Sequence, residues 1–191
     1  MNLAVSSVLG GILGVALPLL SNGLPKVLAA SSLKAQAAAS GPGPGCLHVH
    51  NEFAFVANAP IDVAAPLFGA EKERVWAPGW DPEFVWPANA IDQEGMVFTR
   101  AHGEKTAVWV NTSFDLSSNR IQYVYFVPGT LVTVITIKLA PVRNATRVTV
   151  AYDRTALDVS ANGLVQEMAE RDADAGPEWE GQINGYLKAR P

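Results

Sequence analysis

Cysteine is nearly absent: Cys46 is the only one in the 191-residue chain. That excludes an internal disulfide and any zinc cluster built on cysteines. Positive charge is also scarce, with 14 Lys and Arg against 18 Asp and Glu and a net charge of −4. A partner held through a nucleic-acid backbone would need a basic stripe, and none is present. No Gly-x-Ser-x-Gly elbow and no phosphate-binding glycine loop occur, so neither a serine-hydrolase site nor a nucleotide site is indicated. Nothing in the chain implies a cofactor. What the chain does have is apolar content, at 49%, enough for one domain with a sizeable core.

The first forty-six residues differ from the rest. Leu3 to Leu20 is uncharged and largely apolar but carries Gly10, Gly11, Gly14 and Pro18. An Ala/Ser-rich segment follows, then Gly41-Pro42-Gly43-Pro44-Gly45. The apolar run reads as a secretory signal with a small-residue cleavage site near Ala35-Gln36-Ala37. The first basic residue, Lys26, comes after the run rather than before it, which leaves a membrane anchor or a spurious extension as alternatives. Signal processing would export the protein to the periplasm or medium; otherwise it is cytoplasmic. Membrane contact is expected only through this segment, if it is retained. The Gly/Pro repeat is a linker on every reading. The chain thus divides into residues 1–46 and a domain over residues 47–191.

Leu47 to Ala57 alternates and predicts a strand. Pro60 opens a short helix with Val63, Leu67 and Phe68 on one stripe, ended by Gly69. Glu71 to Trp76 predicts a second short helix. The segment Trp76-Ala77-Pro78-Gly79-Trp80-Asp81-Pro82 cannot continue it, because proline removes donors and forces the preceding residue extended. From there the signals are β: Phe84–Trp86, Met96–His102, Thr106–Phe114, Arg120–Val127, Leu131–Leu139 and Thr146–Thr155, joined by short turns as an antiparallel meander. The tail predicts a helix capped by Ser160 with Leu164, Val165 and Met168, an interruption at Gly176-Pro177, and a second helix with Trp179, Ile183, Tyr186 and Leu187 on one face.

This order resembles the helix-grip fold of the START-like superfamily, also called SRPBCC. The features that carry the resemblance are the Ala59-Pro60-Ile61 entry with Leu67-Phe68, the Glu73-Arg74-Val75-Trp76-Ala77-Pro78-Gly79-Trp80-Asp81-Pro82 segment, the meander, and the Trp179–Ile183–Tyr186–Leu187 tail. The group includes polyketide cyclases/dehydrases, lipid-transfer domains, the birch-pollen allergen group and the heat-shock ATPase activator domain. The resemblance implies an α+β architecture: a curved antiparallel sheet of about seven strands wrapped around a long C-terminal helix, with two short helices after the first strand. It also implies a cavity between sheet and helix for an apolar or amphipathic small molecule. The Gly176-Pro177 interruption departs from that pattern.

Within such a cavity, alternation pairs Phe53 with Phe55, Tyr123 with Tyr125, Ile135 with Ile137, and Trp109 with Asn111 on shared strand faces. Trp76 and Trp80 would form its mouth or wall, and Trp179 its helical side. Tyr, Trp and Asn groups would orient a ligand; the same side chains could instead fill a dry core. Val108 and Val110 compete with Trp109 for the inward face. His48, His50 and Glu52 project from one side of the first strand at a spacing compatible with a metal, but Phe53 and Phe55 occupy the opposite side, so no metal site is assigned. His102, at a hairpin end beside Arg100 and Glu104, is a candidate acid or base, with Tyr123 a second. Asn111-Thr112-Ser113 and Asn144-Ala145-Thr146 match a glycosylation pattern that is frequent by chance. Asp172, Asp174, Glu178 and Glu180 read as a solvated acidic face. Three functions follow: binding of a small hydrophobic ligand, a polyketide cyclase/dehydratase-like enzyme using the same cavity, or an interaction domain like the chaperone-ATPase activators.

Overall fold

A computed structural model describes residues 45–190. The signal-like run, its cleavage site and most of the Gly/Pro linker lie outside the described residues. Seven strands form one antiparallel sheet: β1 (His48–Ala57), β2 (Glu83–Trp86), β3 (Val97–His102), β4 (Lys105–Asp115), β5 (Arg120–Val127), β6 (Leu131–Val142) and β7 (Ala145–Ala156). Their order across the sheet is β1-β7-β6-β5-β4-β3-β2. From β2 to β7 the chain therefore moves one neighbour at a time, as tight turns between alternating segments dictate. Only β1 pairs far from its sequence neighbours, with His48 opposite Thr155 and Ala57 opposite Thr146.

Each long strand shows a period-two burial pattern, so one face of the sheet is dry. Ile121, Tyr123, Tyr125 and Val127 of β5 are buried, as are Leu131, Thr133, Ile135, Ile137 and Leu139 of β6 and Val148, Val150, Tyr152 and Arg154 of β7. On β4 the inward set is Ala107, Trp109 and Asn111. This resolves the competition on that strand, because Val108 and Val110 are half-buried on the outer face.

The sequence places the strands well but errs at several ends. Ala140 to Ala145, expected as a turn, instead extends the β6–β7 hairpin, with Pro141 opposite Thr146 and Val142 opposite Ala145. β5 reaches no further than Lys138, so Pro141 lies where one side of β6 has no neighbour and its missing donor is tolerated. The first short helix comprises α1 (Ile61–Ala64) and a 3-10 turn, Ala65–Phe68. The helix expected over Glu71 to Trp76 is a single 3-10 turn, Lys72–Val75.

The larger correction concerns the tail. It is one continuous helix, α2 (Asn162–Ala189), and runs through Gly176 and Pro177. Pro177 is exposed, so the backbone bond it removes lies on the solvent side, while the opposite face stays packed. Gly176 has a positive reason to be there. A Cβ at this position would stand 3.3 Å from Cδ2 of Phe53 and 3.7 Å from the Ala54 carbonyl. The helix thus meets β1 closely at the point read as an interruption. The expected Ser160 cap is absent from α2, which has no side-chain cap; Ser160 lies in a preceding 3-10 turn, Val159–Ala161, where the Asp158 carboxylate accepts from the Ser160 amide at 2.9 Å and the Ser160 hydroxyl at 2.6 Å. Asn162 then ties the helix start to the domain's first residues, donating to the Gly45 carbonyl and accepting from the Leu47 amide.

α2 packs chiefly on β1, with fewer contacts to β7. It covers one half of the inner face. The chain between β1 and β2 covers the other, because it must cross from one edge of the sheet to the opposite edge. Trp76 and Trp80 lie in this crossing and are both buried. Among the described residues no helix is long and apolar enough to cross a membrane.

Candidate functional site

The aromatic residues singled out in the sequence converge on the inner face in two groups. In the first, Trp179 meets Phe53, Phe55 and Trp76 edge-on, with ring centroids 5.2, 6.1 and 5.8 Å away. Phe68 joins Phe55 to Trp76. In the second, Trp109 stacks on Tyr125 at 4.0 Å and on Phe98 at 5.7 Å, and Trp80 closes on both Phe98 and Trp109. Ile135 is fully buried on β6, with Tyr123 and Tyr152 as its cross-strand partners. These rings pack against one another across the space between sheet and helix.

Several polar handles expected to face a ligand are engaged within the protein. Trp76 Nε1 donates to the Leu67 carbonyl at 2.7 Å and Trp80 Nε1 to that of Ala70 at 2.6 Å. The two indoles thereby staple the crossing segment to the turns just before it. Tyr123 Oη donates to the Phe68 carbonyl at 2.9 Å. Burial first, then the charges of Glu73 and Asp92, push the Tyr123 hydroxyl well above the ordinary tyrosine range, which keeps it protonated and unsuited to act as a base. Trp109 Nε1 and both amide atoms of Asn111 are buried without a hydrogen-bond partner.

The interior also holds charges that the sequence reading missed. Arg154 and Asp172 form a buried ion pair, Nη2 to Oδ1 at 2.8 Å, with the two side chains 5% and 9% exposed. Arg154 Nη1 donates to Tyr125 Oη at 3.1 Å, and its guanidinium lies 4.3 Å from the Tyr152 ring centre. Asn51 Nδ2 donates to the same carboxylate at 3.2 Å. Asp172 is therefore not part of a solvated acidic face. It sits seven residues after Val165 and seven before Trp179, on the buried stripe of α2. Arg154 follows Val148, Val150 and Tyr152 at the inward parity of β7. Both positions could be found from periodicity, which reports the face a residue occupies whatever its polarity. Glu73 is buried as well, at 1% exposed.

A cleft of about 900 Å³ opens between the N-terminal half of α2, the Gly79 turn, the β3–β4 hairpin and the β5–β6 turn. Leu164 and Met168 supply its helical wall, and Arg100, His102 and Lys105 the opposite one. Of the residues put forward from sequence as site candidates, only His102 lines this cleft. Arg100 is 8% exposed. Its guanidinium lies 4.8 Å from the Trp80 ring centre, and Nη2 donates to the Gly79 carbonyl at 2.7 Å. The His102 pKa is lowered from its ordinary value, first by burial and then by the charges of Arg154, Arg100, Arg171 and Lys105. Its ring is therefore neutral near pH 7, able to accept or donate a proton.

His48 and His50 have a different environment. His48 Nδ1 is 2.8 Å from Thr155 Oγ1, and His50 Nδ1 is 2.7 Å from Asp153 Oδ1 across the β1–β7 ladder. Among the described residues no group of three His, Cys, Asp or Glu converges as a metal would require.

The architecture recurs among solved structures. A hypothetical protein, jhp0584 from Helicobacter pylori, superposes with a TM-score of 0.57 at 12% identity, over 86% of this chain and 99% of the other. Truncated norcoclaurine synthase from Thalictrum flavum gives 0.56 at 8% identity, over 78% and 99%. Ara h 8.0201 gives 0.53 at 11%, over 75% and 99%. The fold is the helix grip. Its helix-grip elements are the seven-stranded sheet, the short helical turns after β1, and α2. No protein-family model matches the chain, and no curated protein matches it in sequence. At these identities the likeness is one of fold alone.

Proposed function

We propose that the protein binds a small amphipathic molecule in the cleft between α2 and the β3–β4 hairpin. The observation that carries this reading is the composition of the cleft. Its volume of about 900 Å³ is that of an ordinary small-molecule site, and such sites join an apolar wall to a few fixed polar groups. Leu164 and Met168 are the apolar wall here; Arg100 and His102 are among the polar groups, with Asp81, Glu83, Glu104, Lys105, Glu167 and Arg171 around them. A similarly folded protein, norcoclaurine synthase, has been crystallised with dopamine and hydroxybenzaldehyde. That supports the helix grip as a frame for small organic ligands. The ligand proposed from sequence for the aromatic interior is thereby moved outward, because the rings of that interior pack on one another.

Native mass spectrometry of the full chain, purified from its own host and then denatured, tests the proposal. A small molecule released on denaturation supports it. Replacing Met168 with Glu should then abolish the bound mass, with circular dichroism checking that the variant, altered at a buried position, still folds. Retention of the same mass by the Met168→Glu variant would place the ligand elsewhere.

A second reading is favoured by His102. A neutral imidazole flanked by cations is suited to take a proton from a carbon acid, because the cations stabilise the enolate that forms. This is the cyclase-like alternative, acting on a polyketide-like or aromatic substrate. It predicts that His102→Gln removes turnover while leaving ligand affinity within about threefold.

A further inference from the structure

We infer that the free edge of β2 is a docking surface for an extended segment of another protein, one that carries both basic and apolar side chains and adds to β2 as a further strand. The inference does not depend on the cleft reading. Three features coincide at this edge: an open strand, exposed apolar side chains and the surplus charge of the chain.

β2 stands last in the sheet and pairs only with β3. Among the described residues no other backbone group bonds to Glu83, Phe84, Val85 or Trp86. Such an edge is a template for a further strand. The opposite edge strand, β1, is already engaged: Asn184 of α2 accepts from the Asn58 amide at 2.7 Å and donates to the Val56 carbonyl at 2.9 Å. On β2 the register shift between Phe84 and Trp86 leaves Val85 as an extra residue. Val85 is 60% exposed and Trp86 52%. Val75 and Ile91 are exposed as well, and contacts tie their segments to the edge. Arg74 donates to the Pro82 carbonyl and lies 5.7 Å from the Phe84 ring centre. Asp92 accepts from the Glu71 amide at 3.1 Å. Large apolar side chains gathered on an open edge mark a partner site.

Charge decides between the occupants. Residues 71–95 hold six Asp and Glu against two Lys and Arg, which equals the whole net charge of −4. Glu73 is buried. Arg74 pairs with Glu71 and Asp81. Glu83 and Glu94, both exposed, form no ion pair among the described residues. A second copy that paired β2 with β2 would join two acidic surfaces, and like-charge juxtaposition opposes association. An anionic lipid surface is repelled for the same reason. A strand with lysines or arginines between its apolar residues is attracted by the carboxylates and covers Val85 and Trp86. The four residues of β2 and its bulge keep the added strand short, which suits a transient complex.

Trp86 supplies the readout, because the other four tryptophans are at most 5% exposed. Short synthetic peptides are added to the full chain and the tryptophan emission is followed. The first alternates Val and Lys. The second replaces Lys by Glu, the third replaces Val by Ser, and the fourth is the first with a central Pro, which removes a backbone donor. The Val/Lys peptide is expected to shift the emission to the blue and to bind about tenfold more tightly than each of the others. Val85→Lys should weaken it about tenfold by placing a cation on the edge. Glu83→Gln with Glu94→Gln should bring the Val/Lys and Val/Glu peptides within about threefold of each other. These variants alter exposed side chains only. Equal binding of the Val/Lys and Val/Glu peptides overturns selection by charge. Equal binding of the proline peptide overturns strand addition, and no binding of the Val/Lys peptide overturns the inference entirely. A blue shift that grows with protein concentration alone would assign the edge to a second copy, and one produced by phosphatidylcholine vesicles would assign it to lipid; either result overturns the inference.

Discussion

Removing Asp172 should be among the most damaging single changes in the protein. Its carboxylate receives Arg154 Nη2 at 2.8 Å and Asn51 Nδ2 at 3.2 Å, in a site where both charged side chains are under a tenth exposed. Asp172→Ala leaves the Arg154 cation buried without its partner, a change that costs about 3–5 kcal/mol in comparable pairs. Arg154→Met is expected to cost a similar amount by isolating the carboxylate. The double variant Arg154→Met/Asp172→Leu should cost far less than the sum. It isolates no charge and refills the volume, and what it leaves is Tyr125 Oη and Thr133 Oγ1 without the Arg154 donor. Those losses amount to about 1–3 kcal/mol together. Asn51 keeps its bond to the Ala169 carbonyl. The assay is urea unfolding followed by far-ultraviolet circular dichroism, read as a double-mutant cycle. A loss below about half a kcal/mol for Asp172→Ala, or single-variant losses that simply add, would refute the claim that this pair is a closed buried unit.

Trp179→Ala should cost about 3–5 kcal/mol, since the indole is 1% exposed and touches Phe53, Phe55 and Trp76; an unchanged urea midpoint would mean that α2 does not grip the sheet. Gly176→Val should cost about 1–3 kcal/mol through overpacking against Phe53, and thermal melting identical to wild type would count against the close approach of helix and strand. The lowered pKa of His102 has a definite sign. The unfolded chain binds that proton more readily, so the contribution is full above the ordinary histidine value and is lost as pH falls below about 6.5. Urea midpoints measured from about pH 5 to about pH 7 should rise, and the rise should shrink in His102→Gln; an identical slope in the variant would remove His102 as its source.

Much of the fold is legible in the sequence because the strands alternate without ambiguity and the turns between them are short. β5, expected over Arg120–Val127, has those bounds in the structure. The misreadings share one origin: a local signal was outweighed by packing. Gly176-Pro177 has low helix propensity, yet α2 passes through it because the glycine admits Phe53 and the proline faces solvent. The site was less legible. Aromatic residues announce a core by type, whereas Asp172 was read as solvated for its charge, and Arg100 and Arg154 drew no assignment, although their spacing places them inside. Nor does a sequence show which of Trp76 Nε1, Trp80 Nε1 and Trp109 Nε1 finds a carbonyl, because that depends on the path of the crossing segment over the sheet.

The pairing of β1 with β7 also orders events in time. His48 and Thr155 face each other across the ladder, so the first strand to be synthesised has no sheet partner until the last is made. At ordinary translation rates of about 5–20 residues per second, β1 waits roughly 5–20 s. Throughout that interval Phe53 and Phe55 lack the β-ladder and the helix that later cover them. A long-range closure of this kind slows folding relative to the local β2–β7 meander. Chains halted before residue 145 would lack β7 and α2 together, and a chaperone that shelters unpaired apolar strands would meet this protein at β1 first.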